Sequence, residues 1–125
     1  MILVVGGRAQ GKCEFVKNCL CKGNEELQIA DAGKASWEEL EKSPVIDHFH
    51  LLVKRILEGD LQPDRNLFSK NHGCIVISDE IGCGIVPMDA FERQWRELTG
   101  RACCQLAEQA EQVWRVTCGL GQRIK

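Results

Sequence analysis

With 125 residues, 44% hydrophobic and 27% charged, the chain has the composition of a folded globular protein rather than of a disordered one. Sixteen Lys and Arg against eighteen Asp and Glu leave a formal net charge of −2, so no global field draws it to DNA, RNA or anionic lipid. No apolar run reaches the ~20 residues of a membrane-spanning helix, which excludes that class of membrane protein.

Taken in chain order, strand and helix signals alternate. Ile2–Val5 is a short unbroken apolar run, the pattern of a strand buried on both faces. Gly6-Gly7 punctuates it. A helix is predicted from Gly11 to Cys21, with Phe15, Val16, Cys19 and Leu20 as its apolar face and Gly23-Asn24 as its stop. Leu27–Ala30 is a second brief strand. Ser36 is placed to cap a helix opening at Trp37, with Glu39 in the capping-box position. Pro44–Asp47 reads as a third strand, after which Phe49, Leu52, Val53, Ile56 and Leu57 form the stripe of an amphipathic helix stopped by Gly59. Asp60 to Gly73 is polar, holds Pro63, and reads as a surface connection. Cys74–Ser78 is the strongest strand. Beyond a loop at Asp79–Pro87, a long helix carries Phe91, Trp95, Leu98, Ala102, Leu106 and Ala110, with Gly100 a point of kinking or breakage. Val113–Cys118 is the last predicted strand. Together these predict one α/β domain over residues 1–125, three-layered, with a mainly parallel sheet of about five strands.

Gly6-Gly7-Arg8-Ala9-Gln10-Gly11-Lys12-Cys13 reads G-x4-G-K-C and sits directly after the first strand, opening the first helix. That is where a phosphate loop has to sit. Glycines let backbone N–H groups turn inward around phosphate oxygens, and the helix start adds its positive dipole end. Lys12 supplies a point charge for the outer phosphates. The segment Gly6 to Cys13 is therefore expected to hold ATP or GTP, the competing reading being a glycine-rich turn that binds nothing. The usual last residue is Ser or Thr, whose hydroxyl ligates Mg²⁺. Magnesium prefers oxygen, so Cys13 makes Mg²⁺ binding a weak expectation. Asp47, closing the third strand, is the acid expected on the metal side; the same residue also suits a helix N-cap. Glu80 after the strongest strand reads either as a base near an acceptor hydroxyl or as a carboxylate binding its own loop's amides. Arg93 and Arg96 read as phosphate contacts or as an exposed helix face.

Eight cysteines are many for this length. They fall inside periodic segments, where Cys behaves as a small hydrophobe, and Met1 leads into Ile2-Leu3-Val4-Val5 with no basic region before it. Reduced thiols in a cytoplasmic protein are the expectation. Cys19-x-Cys21, Cys103-Cys104 and the three histidines lack the paired C-x2-C spacing of a structural zinc site.

The stretch Ser78-Asp79-Glu80-Ile81-Gly82-Cys83-Gly84-Ile85-Val86-Pro87 resembles the S-N-E-V-G-x-G-I-V-P stretch of the bifunctional adenosylcobinamide kinase/adenosylcobinamide-phosphate guanylyltransferase family. Arg93, Trp95, Arg96 and Gly100 resemble its R-x-F-R-x-x-x-G pattern, and the likeness runs through Leu106-Ala107, Ala110 to Val113 and Gly119 to Lys125. The opening Met1 to Gly7 with Gly11-Lys12 is similar to the family's start, and Val45-Ile46-Asp47 to its acidic strand end. The resemblance implies a P-loop α/β fold, a homotrimer, and work on nucleotide-loop intermediates of cobalamin. The implied reactions are phosphorylation of the adenosylcobinamide hydroxyl from a nucleoside triphosphate, then GMP transfer from GTP through a guanylylated histidine. In the family that histidine follows the second strand in a long Arg/His-rich segment. Here only Asp31 to Ser36 separate Ala30 from Trp37, without a histidine, so the guanylyltransferase half is expected to be lost. His48 and His50 do not match the motif, and His50 reads as an ordinary, partly exposed histidine. The expected roles are thus Lys12, Asp47 and Glu80 in a kinase, with a nucleoside triphosphate and a cobinamide-type molecule as partners. The alternative is a non-catalytic nucleotide-binding or regulatory module of the same descent.

Overall fold

A computed structural model describes residues 1–64, 66–70 and 73–125; Arg65, Asn71 and His72, inside the expected surface connection, lie outside the described residues. The frame is one sheet. In chain order its strands are β1 (Ile2–Gly6), β2 (Ile29–Asp31), β3 (Val45–Asp47), β4 (Ile75–Asp79), β5 (Gln112–Thr117) and β6 (Leu120–Arg123), in spatial order β2-β3-β4-β1-β5-β6. All neighbours run parallel except β5 and β6, which are antiparallel. The mainly parallel α/β reading holds, and so do the strands predicted from the sequence, each within two residues of its expected bounds.

Strand alternation sends side chains to two cores. Leu3, Ile46, Val76 and Val113 point to one face, where they meet Leu40 of α2 (Trp37–Lys42), Phe49 and Leu52 of α3 (Phe49–Leu57) and Leu106 of α5 (Ala90–Gln109). Val4, Val45, Ile77 and Val116 point to the other, under Phe15 of α1 (Lys12–Phe15) and Val16 of the π-helical turn that continues it (Val16–Leu20). Helices on both faces of a buried parallel sheet make the three layers.

Four details depart from the sequence reading. A sixth strand, β6, follows a two-residue turn in which Cys118 and Gly119 both have positive φ, 51° and 76°. That is the hairpin geometry normally announced by Asn-Gly or Asp-Gly, and neither Cys-Gly nor the non-alternating Leu120-Gly121-Gln122-Arg123 announces it. Cys19 is exposed rather than apolar-face, because the turn Val16–Leu20 closes with i→i+5 bonds (Cys21 N–H to Val16 O, 2.9 Å), which advance each residue less around the axis. Leu98 is 36% exposed: α5 passes unbroken through Gly100, and its packed stripe runs Trp95, Thr99, Ala102, Leu106, one position away from Leu98. The supposed surface connection contributes a short helix, α4 (Leu67–Lys70), whose Leu67 is fully buried and whose Phe68 meets Phe49 edge-on.

The capping box at Ser36 is formed as read. Ser36 Oγ accepts the Glu39 N–H at 3.3 Å and Glu39 Oε2 accepts the Ser36 N–H at 2.7 Å. Ser36→Ala is expected to lower stability by about 1 kcal/mol, measurable as a shifted urea midpoint with an unchanged slope.

Candidate functional site

The carboxyl ends of β1, β3 and β4 open on a cleft of about 710 Å³, the position where open parallel sheets bind ligands. Its first wall is the loop between β1 and α1. Two residues there take left-handed backbone, Ala9 (φ 57°) and Gly11 (φ 83°), and bend the chain back on itself. A side chain at Gly11 would stand 3.2 Å from Gly119 Cα, so glycine serves both the conformation and the contact. Gln10 is held at both of its oxygens by the β5–β6 turn: the Gly119 N–H donates to Gln10 O and the Cys118 N–H to Gln10 Oε1, each at 2.8 Å. Among the described residues, no N–H of Gly7 to Cys13 donates to a protein acceptor, whereas the carbonyls of Gly7, Gln10 and Gly11 all accept. The result is an arch braced from behind, with its amides unengaged.

Lys12 is buried at the floor of the arch. Its Nζ lies 2.7 Å from the Gly7 carbonyl oxygen and 2.6 Å from Asp79 Oδ1. From the sequence Asp79 reads only as the companion of Glu80 ahead of Gly82, not as a partner of Lys12. Its signal was its place as the last residue of β4, which becomes meaningful only once β4 is known to pair with β1. It also stands where the resembled stretch carries Asn.

His50 is the second residue the sequence reading misjudged. It is 6% exposed and lies against the cleft. Its Nδ1 accepts the Asp79 N–H at 3.2 Å, so the neutral ring carries its proton on Nε2, 3.5 Å from Asp79 Oδ2. Trp95 stacks on the ring and donates its indole N–H to the His50 carbonyl at 2.7 Å. Burial, ahead of the opposing Asp79 charge, holds this imidazole below the usual histidine pKa. No sequence pattern marked it, because its neighbours come from β4 and α5.

Asp47 lines the cleft as expected, but it is not the cap of α3. That position falls to His48, in left-handed backbone (φ 59°), whose N–H donates to Asp47 Oδ1 at 2.7 Å. The His48 ring stands between two carboxylates, Nδ1 3.1 Å from Asp31 Oδ1 and Nε2 4.0 Å from Asp47 Oδ2. The Glu80 carboxylate neither stands free nor binds its own loop's amides. It forks onto Arg115 of β5, Oε1 to Nε at 3.1 Å and Oε2 to Nη2 at 3.2 Å, while its N–H donates to Gly6 O. Arg93 and Arg96 are more than an idle exposed face. Arg93 donates to the carbonyls of Pro87 and Met88, and Arg96 to those of Gly82 and Ile85, pinning the loop that leads into α5.

The residues present do not fit a resident Mg²⁺. Burial first, then the Asp47 charge, pushes the Cys13 thiol above its ordinary pKa, so at neutral pH it is an uncharged sulfur beside the cleft. Among the described residues no group of three His, Cys, Asp or Glu side chains is placed to hold a metal ion. All eight cysteines are free. No helix among the described residues is long and apolar enough to cross a membrane.

Of the residues named from the sequence, Arg8 to Cys13, Asp47 and Glu80 all line this one cleft, and Gly6 and Gly7 lead into it. A sequence model of the family described as "Cobinamide kinase / cobinamide phosphate guanyltransferase" matches residues 54–124. Over 51 residues the chain is 41% identical to the bifunctional adenosylcobalamin biosynthesis protein CobU of Escherichia coli (strain K12) and 39% identical to the protein of that name from Salmonella typhimurium (strain LT2). Each match covers 41% of this chain and 28% of the relative. The arch at Gly6–Cys13 lies before the residues that the family model matches.

Proposed function

Since the chain belongs to the cobinamide kinase / cobinamide phosphate guanyltransferase family, we propose that its cleft binds the polyphosphate of ATP or GTP and serves transfer of the terminal phosphoryl group to the hydroxyl of a cobinamide-type acceptor. The observation that carries this reading is the arch itself: amides of Gly7 to Cys13 without protein acceptors among the described residues, beside the buried Lys12 ammonium. Phosphoryl transfer asks little covalent chemistry of a protein and much positioning of charge. Lys12 would draw the outer phosphates, and Gly7 to Cys13 would orient them. The Asp47 carboxylate faces the same space from β3 and is the residue best placed to accept an acceptor's proton. Glu80, neutralised by Arg115, keeps the β4 loop in register with β1 instead. The guanylyltransferase step is not part of the proposal, because Asp31 to Ser36 supply no histidine.

Calorimetric titration with ATP and GTP, followed by transfer of labelled γ-phosphate to cobinamide, tests the reading; absence of heat with both nucleotides overturns it. A binding-only role is favoured by one observation, the uncharged thiol of Cys13 where a hydroxyl is the usual oxygen ligand. The two separate on one variant. Under the kinase reading, Cys13→Ser raises affinity for the magnesium complex of the nucleotide severalfold and raises phosphate transfer with it. Under the binding-only reading, affinity rises and transfer stays absent.

A further inference from the structure

The positive charge of the proposed phosphate site does not stand free. Lys12 Nζ is shared between the Gly7 carbonyl and Asp79 Oδ1, and the side chain is 7% exposed. Asp79 is itself held in place from α3 and α5. Its N–H is tied to His50 Nδ1, its second oxygen faces His50 Nε2, and the His50 ring is stacked by Trp95 with centroids 6.2 Å apart. The imidazole stays neutral by burial, so it positions the carboxylate without cancelling its charge. Among the described residues, the full positive charge within ion-pair distance of Asp79 is Lys12 alone.

A bound polyphosphate and the Asp79 carboxylate therefore compete for one ammonium group. Turning Nζ toward a phosphate oxygen leaves a carboxylate beside an anion within a cleft, where like charges are screened less than on open surface. We infer that Asp79 is a clasp on Lys12: it holds the lysine when no anion is present, and so sets the affinity of the cleft for polyphosphate below what the arch and lysine alone would give. This rests on the phosphate-site reading of the preceding section. It assigns Asp79 a positioning role and His50 the support of it.

The test uses inorganic tripolyphosphate titrated calorimetrically, in chelator, into the full chain and into Asp79→Asn. Asparagine keeps the shape and an oxygen acceptor for Nζ but removes the charge. Affinity is expected to rise about tenfold, while Asp79→Glu binds as weakly as the unmodified chain. Asp79→Ser carries the same expectation as Asp79→Asn, should the amide disturb folding. A second measurement reads the lysine directly: acetylation of Lys12 by an amine-reactive ester, followed by peptide mass spectrometry, proceeds faster in Asp79→Asn. Unchanged affinity in both neutral variants overturns the clasp. Tighter binding with no change in Lys12 reactivity overturns it too, since Asp79 then repels the anion directly. If no variant binds tripolyphosphate or nucleotide, the phosphate-site reading falls and the clasp with it. If the unmodified chain binds and the neutral variants bind no better, the clasp alone falls.

Discussion

Gly6→Ala is expected to lower stability by about 3 kcal/mol, the upper range for overfilling a close-packed interior. A Cβ at Gly6 would collide with the Val116 carbonyl oxygen and stand 3.4 Å from Lys12 Cδ. The first contact is backbone on backbone. β1 lies between β4 and β5 and pairs with both, so neither strand can move aside without breaking a ladder on its far side. Relief would come by displacing the end of β1, and with it the arch that begins at the next residue. Urea unfolding measures the stability loss, and nucleotide titration of the folded fraction measures the second effect. A loss below about 1 kcal/mol would mean that β1 and β5 are less closely apposed than the structure has them.

Lys12→Ala carries the largest expected effect on binding. The ammonium is buried beside the arch, bonded to the Gly7 carbonyl and Asp79, and truncating a partner in a buried, hydrogen-bonded charge contact weakens binding by about a hundredfold. Nucleotide titration reads it. Affinity within about twofold of the unmodified chain would remove the phosphate-loop assignment.

Much of this architecture was legible from local signals. Ile2–Val5 and Cys74–Ser78 announced buried strands by composition alone, and Ser36 with Glu39 announced a helix start through side chains that act within one turn. The loop Gly6–Cys13 was legible for the same reason, since its chemistry lies in consecutive residues. What escaped was everything settled by strand order. Asp79 and Glu80 are adjacent in sequence, yet one meets Lys12 and the other Arg115, a division decided by β4 lying against β1 and by β5 lying beyond it. His50 looked like a surface residue near a helix start. It is buried because Trp95, forty-five positions away, covers it. Arg93 and Arg96 read as phosphate contacts or as an exposed helix face, and their hold on the loop went unseen because their acceptors are main-chain carbonyls, which no residue pattern reveals.

The grip of Cys118 and Gly119 on Gln10 bears on how the protein comes to be made. The two partners are 108 positions apart, so on the ribosome the loop between β1 and α1 is synthesised long before the turn that shapes it. Contacts of such separation form late in folding. A nascent chain can therefore assemble its β1–β4 centre while the arch after β1 is still unbraced, and the loop takes its final shape only when the last hairpin locks home.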